Sequence, residues 1–277
     1  MTMNSINTNA QALIALQALN TTNTQMSVTQ KRVSTGYRVA DARDDGGAFA
    51  VAQAVRSDVA GVIAVGEQLG GVKGILQTTF AALSVVSDTM KQVRAVLTRL
   101  ADSAISADQR ATYVQQYELL AEQVQSFVDD AFYNGRTLLS TVATAGGGSL
   151  TAIRNESGAT FTINAVDGAT LKMPATAPTS AAQATSWIVS GGDFDDVDRA
   201  ISTALNEFGS SMAFVDNQIK YNVQKVDAME TGLGALVDAD LAKESSTLEA
   251  LKVRQQLGIQ TLGLANQGPQ VLLGLFR

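Results

Sequence analysis

Residues 1–30 carry no Asp, Glu, Lys or Arg, and neither do residues 255–276 at the other end of the chain. Both stretches are apolar at helical spacing. Through the first and just past it the positions are Ile6, Leu13, Leu16, Leu19, Met26 and Val33. Leading into and through the second they are Leu248, Leu251, Leu257, Leu262, Leu264, Val271, Leu272 and Leu275. A solvated helix keeps a charged face, and free termini tolerate almost any residue. Two uncharged, half-apolar ends around a normally charged middle are expected to be buried together, in surroundings that one chain alone does not supply.

Composition narrows the function classes. The net charge of −6 comes without any Lys/Arg cluster, which argues against a nucleic-acid partner. There is no Cys and no His. That excludes disulfides, thiolate metal sites and a cysteine nucleophile, and it removes the commonest general base. No cofactor is expected. No unbroken run reaches about 18 apolar residues, so no membrane partner is expected either. The N-terminal stretch lacks the basic region and continuous apolar core of a cleaved secretory signal. Export, if it occurs, would follow a route without signal cleavage.

The spacing predicts a helix over 4–35, with cap-type residues from Asn4 to Asn9 and weak intrinsic propensity around Asn20–Asn23. Residues 34–47 hold breakers and both charge signs, and fit either a solvated connector or a structured spoke. A long helix is predicted over 48–104, with a kink or close helix approach at Gly66, Gly70, Gly71 and Gly74. Its apolar stripe includes Leu83, Met90, Val93, Leu97 and Leu100. Ser106 and Gln109 have capping-box spacing and open a helix over about 107–131. Residues 136–173 read as a β-meander of three or four strands, with Asp167-Gly168 as a hairpin turn. Residues 174–190 read as a linker. From 193 to 236 a near-heptad stripe runs through Leu205, Phe208, Met212, Val215, Ile219 and Val226, interrupted by Asn222. That helix would be about 60 Å long. The reading is a mainly α chain of long helices in coiled-coil or bundle layers, with a small β-meander insert at the tip and the N- and C-terminal helices paired.

Chemical motifs are few. Asp44-Asp45 lacks a third ligand for a metal, so capping of the following helix or an Arg pair is the better reading. Gly66 to Lys73 fails the phosphate-loop spacing. The sequons at Asn20 and Asn155 are read as chance. No nucleophile–base set is spaced for catalysis, and no enzyme is expected.

Several motifs, in order, resemble bacterial flagellin. They are Ser5-Ile6-Asn7-Thr8-Asn9, Arg32-Val33-Ser34-Thr35-Gly36-Tyr37-Arg38-Val39, Ala42-Arg43-Asp44-Asp45, Tyr133-Asn134-Gly135-Arg136-Thr137-Leu138-Leu139, Asp238-Ala239-Asp240 and Ala265-Asn266-Gln267-Gly268-Pro269-Gln270. Gly46-Gly47-Ala48 departs from the family's usual Ala-Ala-Gly, and the middle is short. The resemblance implies a minimal filament subunit for motility, secreted to the extracellular flagellar filament. It would be exported unfolded by the flagellar type III route and folded on polymerisation at the tip.

It implies inner-tube helices at 1–35 and 240–277, spoke linkers at 36–47 and 232–239, an outer-tube domain at 48–135 and 191–231, and a variable β-rich region at 136–190. The polymerisation interface would be Ile6, Leu13, Leu16, Leu19, Met26, Val33, Leu257, Leu262, Leu264, Val271, Leu272 and Leu275. The spoke residues would be Arg32, Arg38, Asp41, Arg43, Asp44, Asp45, Asp238 and Asp240, and the helical stripes above would form the outer-tube seam. Implied partners are copies of itself, alone or mixed with other flagellins, the type III export apparatus, a cytosolic chaperone, and the filament cap and hook–filament junction proteins. The Ser/Thr-rich 140–190 region resembles places where some flagellins carry O-linked sugars. At the segment that an animal immune receptor reads in many flagellins, Gln92 and Ala95 replace the usual Arg and Glu, so weak recognition is expected. The rival reading is a hook–filament junction protein or another type III-secreted coiled-coil structural protein.

Overall fold

The computed structural model describes residues 9–142 and 146–274. Helix α1 (Ala10–Thr35) is capped by Asn9, whose side chain accepts from Ala12 N, and it ends at Gly36 in the left-handed region at φ 76°. A loop leads to α2 (Gly46–Leu100), then α3 (Ala107–Asp129). Strands β1 (Leu150–Ile153) and β2 (Thr160–Ile163) follow, then a 3-10 turn (Gly168–Leu171), α4 (Ala181–Ile188), α5 (Asp193–Val237) and α6 (Leu241–Gly274). The capping box at Ser106 and Gln109 is present, with both reciprocal bonds made.

The chain forms two compact units. One holds Met1–Ser57 with Ala228–Arg277, and the other holds Asp58–Asp227. Their boundaries fall inside α2 and α5, so each of these helices contributes to both units.

In the second unit α2, α3 and α5 bury one continuous core. Leu83, Met90, Val93, Leu97 and Leu100 of α2 and Phe208 and Val215 of α5 are fully buried there, and Leu205, Met212 and Ile219 pack against it. Val226 does not join this core. The core also takes Tyr117 of α3 and positions outside the predicted stripes, among them Val86, Val96 and Trp187. Tyr117 donates to the Pro174 carbonyl at 2.7 Å, and its ring lies 5.8 Å from that of Trp187. Burial, with a smaller push from the Asp193 charge, raises the Tyr117 pKa above its ordinary value.

Three expectations need correction. Among the described residues the β-meander of three or four strands is a two-stranded antiparallel hairpin, with Leu150 opposite Ile163 and Ile153 opposite Thr160. Its turn is at 154–159, where Arg154 N donates to the Ala159 carbonyl. Asp167-Gly168 is no hairpin turn. The Asp167 side chain accepts from Ala169 N and caps the 3-10 turn, whose Leu171 is buried in the core. The predicted linker 174–190 contains α4, which Ser180 caps and which buries Ala184 and Trp187.

Helix α2 runs unbroken through Gly66, Gly70, Gly71 and Gly74. Of these four, Gly74 alone has a close neighbour, an added Cβ there lying 2.7 Å from Tyr133 Cζ, and that neighbour is an aromatic ring, not a helix; outside the four, an added Cβ at Gly61 would lie 3.1 Å from Glu156 Cβ. Helix α2 also holds an 18-residue window of mean hydropathy 1.5, long and apolar enough by composition alone to cross a membrane, and 17% of that window is buried within the chain. Small and polar residues interspersed along it leave no long unbroken apolar run.

Asn222, the break in the α5 heptad, is buried for a reason. Its amide and that of Gln218 donate to the Arg154 carbonyl at 3.4 and 3.1 Å. Lys225 Nζ donates to Glu156 Oε1 at 2.5 Å and holds that carboxyl below its ordinary pKa. A polar position in the stripe thus fixes the hairpin on α5.

Candidate functional site: the paired terminal helices and their spoke

Helices α1 and α6 pack against each other antiparallel. Asn9 Nδ2 donates to the Ala265 carbonyl at 2.7 Å, Gln255 Nε2 to Asn23 Oδ1 at 2.8 Å, and Arg32 pairs with Glu244 at 3.1 Å. The facing positions form two strict heptad series. On α1 they are Ala12, Ala15, Leu19, Thr22, Met26, Thr29 and Val33. On α6 they are Glu244, Leu248, Leu251, Gln255, Gly258, Leu262 and Ala265. Every one is buried or half-buried. An added Cβ at Gly258 would lie 3.2 Å from Leu19 Cδ1, so the backbone there comes close to its partner. This is coiled-coil spacing.

The expected interface residues therefore divide. Leu19, Met26, Val33 and Leu262 lie in the intramolecular seam. Leu13, Leu16, Leu257 and Leu264 point outward, 59%, 43%, 55% and 67% exposed. Ile6 and Leu275 lie outside the described residues, and Val271 and Leu272 fall on α6 beyond the described side chains. Ile14 and Ile259, missing from the expected set, are 67% and 58% exposed. They escaped the sequence reading because a single stripe at helical spacing does not record a second apolar face. One end of this pair is thus uncharged, satisfied along its seam, and apolar on its outside.

The spoke is a built structure. Arg38 and Val39 backbone amides donate to the Val237 carbonyl, and Ala239 N donates to the Gly36 carbonyl at 2.9 Å. Tyr37 and Asp238 form an antiparallel bridge, and the Arg38 guanidinium donates to the Leu236 carbonyl. Val39, Ala52 and Val237 make a small buried cluster beneath it. Lys31, which counts among the connector's charges but not among the expected spoke residues, is its centre, with ion pairs to Asp41 at 2.9 Å and Asp44 at 2.7 Å. Arg43 pairs with Asp41 at 3.0 Å. Asp45 caps α2 through Ala48 N at 3.0 Å, and Asp240 caps α6 through Ala242 N and Lys243 N.

Hydrogen bonds from Arg43 first and Lys31 second hold the Asp41 carboxyl well below its ordinary range. The Lys31 bond does the same for Asp44. Among the described residues no group of three His, Cys, Asp or Glu gathers as a metal site. Gln92 and Ala95 are exposed on α2.

Fold and site together define a helical coiled-coil structural protein whose terminal helices turn a second apolar face outward. The comparisons with known proteins agree with that class. The family model of the bacterial flagellin N-terminal helical region matches residues 6–144, and that of the bacterial flagellin C-terminal helical region matches 194–276. The chain is 32% identical to flagellin FljK of Caulobacter vibrioides, with 100% of both chains covered. It is 33% identical to a flagellin of Brucella melitensis, covering 99% of this chain and 100% of the relative. Among solved structures, Bacillus cereus flagellin is similar at a TM-score of 0.36 and 17% identity, covering 66% of this chain and 94% of that one. The chain belongs to the bacterial flagellins. It is a structural subunit of the self-polymerising flagellar filament, not an enzyme.

Proposed function

We propose that the subunit polymerises through the outward faces of α1 and α6, and that this step completes its folding. One observation carries the reading: the α1–α6 seam is satisfied within the chain, yet Leu13, Ile14, Leu16, Leu257, Ile259 and Leu264 remain exposed on helices without charge at that end. Each such side chain contributes roughly 1.5–3 kcal/mol when fully buried. Several per subunit offset the ordering entropy of two helices, so assembly and folding share one free energy. Contacts of this kind are heterologous and non-closing, which produces an open helix.

In this reading 1–35 and 240–277 form the inner tube, 36–47 and 232–239 the spokes, 48–135 and 191–231 the outer tube, and 136–190 the variable region. Terminal helices of low propensity suit passage, unfolded, through a type III export channel with a cytosolic chaperone. Assembly then occurs beneath a cap, on a hook–filament junction, to give an extracellular filament.

Leu13→Glu tests the interface. It should abolish filament formation in sedimentation and electron microscopy while leaving the helicity and thermal transition of the 58–227 unit unchanged. Normal filaments from that variant would refute the interface. With Gln92 and Ala95 exposed on α2, a receptor reporter assay should give a weak response.

A further inference from the structure

The second unit carries an open groove of its own. It has a volume of about 370 Å³ and is walled by Val62 and Ile63 of α2 and by Val223 and Val226 of α5. Gly66 lies on its floor with nothing within 4 Å of an added Cβ. Ile63 and Val223 are 48% and 57% exposed. The lining carries the acidic residues Glu67 and Asp227, the second already engaged within the chain. Val226, which the α5 stripe placed in the seam, faces this groove instead of the core.

The same unit carries a projection of the opposite character. Asn134 at φ 48° and Gly135 at φ 73° form a tight turn, closed by Tyr133 N to the Arg136 carbonyl at 2.8 Å and the reverse bond at 3.0 Å. Both central residues at positive φ make it a primed two-residue turn, which holds its flanks rigidly. Phe132 and Tyr133 are exposed on it at 45% and 44%, and Arg136 is exposed and makes no ion pair among the described residues. The turn cannot fill its own groove. Tyr133 rests on Gly74, about 12 Å along α2 from Gly66 at 1.5 Å per residue.

We propose that the Phe132–Arg136 turn of one subunit docks into the α2–α5 groove of a second copy, with Arg136 against Glu67. The proposal rests on the polymerising subunit described above and adds a lateral contact away from the terminal helices. Knob and hole are different surfaces of one chain, so the contact is heterologous and repeats without closing. Apolar filling sets its strength, and the charge pair sets its register.

Gly66→Phe fills the groove in open space and replaces a poor helix former, so the subunit stays folded by circular dichroism. It should raise the critical concentration for polymerisation by about tenfold. Glu67→Arg and Arg136→Glu, both on exposed residues, should each raise it by about threefold, the scale of one exposed ion pair. The double variant Glu67→Arg/Arg136→Glu should return close to the wild-type value. Wild-type polymerisation by Gly66→Phe, or a double variant no better than its worse parent, overturns the docking while leaving the terminal-helix interface standing. If groove variants polymerise normally but lose binding to a different protein, the occupant is not a second copy and the proposal fails. Wild-type protein that never polymerises overturns both readings.

Discussion

Asn9 does two jobs. Its Oδ1 accepts from Ala12 N at 3.1 Å and caps α1, while its Nδ2 reaches the Ala265 carbonyl at 2.7 Å. That carbonyl needs an outside donor, because the residue four positions on is Pro269, inside α6, and proline has no N–H. An intrahelical bond lost at one terminus is replaced by a side chain from the other. Asn9→Asp keeps the cap and loses the donation, so it should destabilise the α1–α6 pair by about 1 kcal/mol. In a Pro269→Ala background the helix supplies its own donor, and the same change should cost little. Denaturant melts of the four proteins measure this coupling, and equal costs in the two backgrounds would refute it. Both residues stand in motifs legible in the sequence, Ser5–Asn9 and Ala265–Gln270. That the two motifs are one feature was not legible, because the bond spans 256 positions and nothing local points across that distance.

The long helices α1, α2, α3, α5 and α6 were legible because periodicity sustained over many turns outweighs local propensity. The short middle was not. Four-residue strands are too brief to separate from a 3-10 turn by pattern, and Asp167-Gly168 serves a cap as well as a hairpin. Helix α4 hides in an Ala/Thr/Ser stretch, yet Ser180 and Gln183 repeat the spacing already recognised at Ser106 and Gln109, and Gln183 N donates to Ser180 Oγ at 3.2 Å. Composition concealed what capping chemistry announced. In the spoke, charge signs were visible but the pairing was not. The Arg partner considered for Asp44 is Lys31, one helix earlier. Because Asp41 and Asp44 are held below their ordinary pKa values in the folded chain, their support of the spoke is present above the ordinary carboxylate range. It is lost as pH falls through that range toward the lowered values. Protection factors of the amides at 40–45, taken relative to the intrinsic exchange rate at each pH, should therefore fall on acidification. Lys31→Met should show fast exchange already at neutral pH and a flatter response; an unchanged profile would remove Lys31 from its central role.

Across the whole chain, burial is uneven. The 58–227 unit concentrates the large fully buried side chains, including Tyr117, Phe208, Leu83, Met90 and Leu97. The 1–57 and 228–277 unit has a small cluster at Val39, Ala52 and Val237, and a seam in which Ala12, Ala15, Thr22, Thr29, Gln255 and Gly258 occupy heptad positions. Such residues bury little apolar area, so this seam contributes much less per turn than the leucine and valine layers of the other unit. Opening free energies should follow that division. In the free subunit, amide exchange should be fast along α1 and α6 and slow in the core stretches of α2, α3 and α5. On polymerisation, protection should rise most at Ala10–Leu19 and Leu257–Leu264, where the outward apolar residues lie, and change little within the 58–227 core. Exchange read by mass spectrometry on subunit and filament separates this from a rigid subunit that merely stacks. In that case α1 and α6 would be protected before assembly, and the gain would be confined to a few contact residues.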